Sequence, residues 1–136
     1  MASDVRFSTA VLNAFLDTIN ATLGASSLLR FYSGTKPATA DAGLSGNTQL
    51  AELTLSATEF GAAASRVITA NAIGTDINAD ATGTATWASF VKSDGTRCID
   101  VTVGEAADSA DITVDNKSFQ VNADIAVTAF TLTLNL

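Results

Sequence analysis

Leu23-Gly24-Ala25-Ser26-Ser27-Leu28-Leu29-Arg30-Phe31-Tyr32 is the stretch in which the chain changes its period, and the fold is read from that change. Upstream of it, Val11, Leu12, Phe15, Leu16, Ile19 and Leu23 recur at helical spacing. Ser8 or Thr9 can accept a hydrogen bond from the free N–H groups of a first turn, and Gly24 supplies a C-terminal stop. The spacing therefore predicts one long helix within residues 8–24. Burying six such side chains is worth on the order of 10 kcal/mol gross, so that face must be covered, by the domain's own sheet or by a neighbour. The domain's own sheet is the simpler cover.

From Leu28 onward apolar residues alternate with polar ones, the period of a half-buried strand. Strands are expected at 28–32, 50–55, 66–73, 84–92, 97–103, 111–114, 118–121 and 125–136, separated by clusters of turn residues. Trp87 and Phe90 fall on opposite faces of their strand, and Asp94-Gly95 is the clearest hairpin signal in the chain. In the last segment Ile125 and Val127 are odd-numbered and Phe130, Leu132, Leu134 and Leu136 even-numbered, which calls for a bulge or bend near Thr128. A run of short strands after one helix predicts a mainly β fold, an antiparallel β-sandwich or jelly-roll-like domain with one N-terminal α-helix. Residues 1–136 are read as one domain, with the helix at 8–24 and the sandwich at 28–136.

Composition narrows what such a domain does. The chain is 47% hydrophobic and 15% charged, which excludes intrinsic disorder. Its net charge of −7 has the wrong sign for neutralising phosphates, so neither nucleic acid nor an anionic membrane is expected as a partner. No window approaches the length of a membrane span. Met1-Ala2-Ser3-Asp4 lacks the basic and apolar regions of a signal peptide, so synthesis in the cytoplasm is expected. Ala and Thr are the commonest residues, and Cys98 is the single cysteine. Small side chains leave little area to bury and no disulfide compensates, so self-association is expected, with a homotrimer as the favoured form.

Histidine is absent, which removes the commonest general base and the commonest zinc ligand. Cys98 sits beside Ile99 in an alternating strand and reads as a small apolar filler. Glu52, Glu59, Asp100, Glu105, Asp108, Asp111 and Asp115 could in principle supply a glycosidase-like carboxylate pair, but one Trp and one Tyr offer little to stack on a sugar. Asp76-Ile77-Asn78-Ala79-Asp80 resembles the first half of a calcium loop. It has Ala81 where the turn glycine belongs and Trp87 where the bidentate acid belongs, so a polar loop bonded to its own backbone is the better reading. Asn20-Ala21-Thr22 and Asn116-Lys117-Ser118 match the glycosylation triplet by chance. Arg30, Lys36, Arg66, Lys92 and Arg97 are scattered and read as surface groups. No catalytic, cofactor-binding or metal-ligating residue is assigned, and no enzymatic activity is expected.

Between the first two strands lies a long polar excursion from Ser33 to Asn47, long enough to make contacts of its own. Leu29-Arg30-Phe31-Tyr32-Ser33-Gly34-Thr35-Lys36-Pro37-Ala38-Thr39-Ala40-Asp41, continuing through Leu50-Ala51-Glu52-Leu53-Thr54-Leu55, resembles small virion proteins encoded in the structural modules of tailed bacteriophages and prophages. The likeness extends through Ala70-Asn71-Ala72-Ile73, Ala81-Thr82-Gly83-Thr84-Ala85-Thr86-Trp87 and Lys92-Ser93-Asp94-Gly95-Thr96. An acidic, Ala/Thr-rich, histidine-free β-domain is similar to capsid decoration, or cement, proteins. The resemblance implies a virion component on the outer capsid surface, made in the host cytoplasm, whose partner is the major capsid protein. Thr35, Lys36, Pro37, Asp41 and Leu44 are the candidate contact residues. The other reading is a receptor- or glycan-binding module of the tail or baseplate, in which Trp87, Tyr32 or the Asp76–Asp80 loop would face a ligand.

Overall fold

A computed structural model describes residues 4–127 and 130–134 of the chain. Helix α1 spans Thr9–Leu23. Ser8 caps it, its hydroxyl accepting from Val11 N–H at 3.3 Å. Gly24, at φ 72°, ends it and donates its N–H to Asn20 O. The strands that follow are β1 (Leu28–Tyr32), β2 (Gln49–Thr54), β3 (Val67–Thr69), β4 (Gly83–Thr84), β5 (Trp87–Val91), β6 (Arg97–Gly104), β7 (Ile112–Thr113), β8 (Ser118–Phe119) and β9 (Thr131–Thr133). The protein is mainly β, with a single N-terminal helix and a curled, largely antiparallel sheet in a sandwich-like arrangement.

The main sheet runs β2-β1-β5-β6-β7, and two short ribbons, β3-β9 and β4-β8, lie apart from it. Leu29, Phe31, Ala88 and Phe90 share one face of the central strands, together with Leu53 and Val101. All are buried in the main core. Phe119 packs on Phe31 at 5.4 Å between centroids and Phe130 on Phe90 at 5.1 Å, so the ribbons supply the opposing layer. Phe60 packs against both Phe90 and Phe130. Trp87 is on the other face from Phe90, as expected, and both are fully buried.

Five expected strands are shorter than their patterns, 111–114 and 118–121 each keeping only two residues. Only Val67–Thr69 of 66–73 pairs regularly, because Ala70 N–H donates to Phe130 O, Asn71 N–H to Glu59 O and Gly74 N–H to Thr54 O, three partners in quick succession. The 84–92 segment breaks at Ala85, whose N–H goes to Lys117 O before Thr86 N–H turns to Tyr32 O. Of 125–136 only Thr131–Thr133 forms a strand among the described residues. The expected bend at Thr128, and Leu136, lie outside them. One pairing departs from the antiparallel expectation: β7 runs parallel to β6, Val103 opposite Ile112. Parallel neighbours usually need a crossover of about a dozen residues or more. Here residues 105–111 suffice because Gly104 lets the loop fold back closely, and a Cβ there would lie 2.6 Å from that of Asp108. The Asp94-Gly95 hairpin forms as read, with Gly95 at φ 88° donating to Lys92 O and Asp94 accepting from Thr96 N–H.

Two non-strand segments finish the frame. Along β2, Asp80 N–H and Ala81 N–H donate to Leu50 O, Asp76 Oδ2 accepts from Glu52 N–H, and Gly74 N–H reaches Thr54 O. The carboxylate of Asp76 thus stands where a neighbouring strand's carbonyl would be. Beside the helix, Asn20 both donates to Phe60 O at 2.8 Å and accepts from Phe60 N–H at 2.9 Å, Asp17 accepts from Ala63 N–H and Asn13 from Arg66 N–H. These three polar residues, on one side of α1, hold a segment that belongs to no strand. They also brace the tight turn at Ser65 and Arg66, both at positive φ (52° and 66°) without glycine. Removing Asn20 would leave a part-buried donor and acceptor unpaired. Asn20→Ala is expected to cost about 2 kcal/mol, read as a lower urea midpoint at unchanged slope.

Candidate functional site

The loop between β1 and β2 leaves the sheet at Ser33, whose N–H donates to Thr48 O, so it starts and ends on one rung. Asn47 ties its base, its Nδ2 donating to Ser33 O at 3.0 Å and Thr35 O at 2.9 Å. Gly34 approaches so closely, at φ 83°, that a Cβ would meet Gly46 O at 2.8 Å. Thr86 Oγ1, just before β5, donates to Gly34 O. Arg97 on β6 reaches the loop's middle, its guanidinium donating to Thr39 O at 3.0 Å.

Arg97 is the residue on which this arrangement turns. Its side chain, 9% exposed, pairs with that of Asp100, 4% exposed, at 3.0 Å. Its guanidinium also lies 5.4 Å from the centroid of Trp87, a favourable cation–π distance. Trp87 in turn stacks on Tyr32, its cross-strand partner, at 4.5 Å and 16° between ring planes. Trp87 Nε1 and Ser89 Oγ, two residues apart on this face, are buried and find no hydrogen-bond partner among the described residues. Each unmet group costs about 1–3 kcal/mol, so this face is less firmly closed than the phenylalanine-lined one.

Of the candidate contact residues, Thr35, Lys36, Asp41 and Leu44 are exposed on the loop and Pro37 is half-buried. All five lie on one loop whose base and middle are fixed. Trp87 and Tyr32, candidates for a ligand-facing role, are 0% and 3% exposed and present no ring to solvent. Asp76 spends both carboxylate oxygens on backbone N–H groups, of Glu52 and Asn78, and Asp80 accepts from Gln49. Only the bond from Asn78 to Asp76 is the local one anticipated from the sequence, and the other two tie the loop to β2. Among the described residues no group of three or more His, Cys, Asp or Glu side chains is placed to hold a metal ion.

The other acidic candidates are dispersed among structural tasks. Glu52 pairs with Arg30, Glu59 is buried and accepts from Ser27 Oγ, and Asp111 accepts from both Thr102 N–H and Oγ1. Asp108 accepts from Lys117 Nζ at 2.7 Å and from Glu105 N–H at 2.8 Å. The ammonium holds the Asp108 carboxyl below its usual range, and the carboxylate raises Lys117 in return. The pair lines an open cleft with Thr84, Thr86 and Thr102. Cys98 is half-buried, and burial pushes its thiol up, away from the reactive thiolate.

Comparison of the chain with protein-family models, with curated proteins and with solved structures finds no match.

Sequence reasoning missed Arg97, Asn47 and Thr86 as the groups that position the loop. Arg97 was read as a surface base, yet the signal was present: Arg97 and Asp100 are opposite charges inside one strand whose hairpin partner carries the single Trp. Removing one member of a buried pair costs about 3–5 kcal/mol. Arg97→Ala is expected near the lower end, about 3 kcal/mol, with a red shift of Trp87 emission as the loop lifts. In Lys117→Met the Asp108 carboxyl should titrate higher, nearer its ordinary range, by carboxyl-carbon NMR. The sign follows from the depressed folded-state value: ionised Asp108 stabilises the fold above the ordinary carboxylate range, and that contribution is lost as pH falls through the folded value.

Proposed function

We propose that this domain is a non-enzymatic structural protein of a tailed-phage virion, a capsid decoration or cement protein that binds the major capsid protein lattice and stabilises the head from outside. The observation that carries this reading is the exposure of Thr35, Lys36, Asp41 and Leu44 on a loop tied down at both ends and at its middle. A loop ordered in advance loses little entropy on docking. Its mixed cationic, anionic and apolar tip suits contact with another protein's surface. The resemblance of residues 29–41 and 50–55 to small virion proteins gives the biological context, and the largely committed carboxylates leave the domain to act by binding. On a lattice, many copies of a weak contact add up through multivalency.

A glycan-binding role draws no support from Trp87 and Tyr32, since both rings are spent on each other and on Arg97. The test is co-sedimentation with undecorated phage heads. Wild-type protein is expected to bind, and a Lys36→Glu/Asp41→Lys/Leu44→Asp variant to bind at least about tenfold more weakly with unchanged circular dichroism. Failure of the wild type to bind would overturn the decoration reading. Full binding by the variant would overturn the role of the loop.

A further inference from the structure

We draw no further inference here: the strongest candidate, the cleft beside β8 lined by Asp115, Asn116, Phe119, Gln120 and Asp124, rests on two exposed carboxylates, and nothing in the structure shows what covers it.

Discussion

When β1 lies antiparallel to β5, with Tyr32 opposite Trp87 and Phe31 opposite Ala88, the large side chains of two central strands are divided between two faces of one sheet. That division governs the rest of the molecule. The chain has seven Phe, one Trp and one Tyr among many Ala and Thr, too little bulk to leave either face wet. The Phe31 and Phe90 face takes the thick cover of ribbons and helix. The Trp87 and Tyr32 face takes a thinner one of Arg97, Asp100 and the β1–β2 loop, charged groups and backbone in place of a second aliphatic layer. Loop position and sheet closure are consequently one event, linked through a single guanidinium that bonds Asp100, lies against Trp87 and donates to Thr39 O.

The helix solves a different problem with similar economy. Residues 60–66 pass beside it with backbone groups that no strand satisfies, and Asn13, Asp17 and Asn20 take that role from one side of α1. Asn20 offers a donor and an acceptor to the same residue, as a paired strand would. Asn13 and Asn20 are half-buried in this role, and the remaining side of the helix carries no charge. The uncharged outer surface is thus the other half of a local requirement for backbone pairing.

Much of this architecture was legible because it is local. The caps Ser8 and Gly24, strand β1 at its observed limits, the hairpin at Asp94-Gly95 and the opposed faces of Trp87 and Phe90 depend on residues within a few positions of one another. What the sequence concealed depends on distant partners. Val67–Thr69 is short because Asn71 and Gly74 turn to other segments, and β7 is parallel because Gly104 and Asp108 allow a close return. The exposed loop residues Lys36, Asp41 and Leu44 were readable from composition. Their anchoring was not, since Arg97 is far along the chain and its value lies in what it touches.

The segment from Gly74 to Ala81 sets a limit on how this sheet can grow. An open margin such as that of β2 is a template for another strand, and in a β-rich protein made in quantity it invites runaway polymerisation. Here the outward groups of Leu50, Glu52 and Thr54 are already occupied by Asp80, Ala81, Asp76 and Gly74. The occupant is irregular, and one of its acceptors is a carboxylate that no incoming strand could copy. The ladder stops at β2, and the acidic motif that mimics half a calcium loop serves as its terminator.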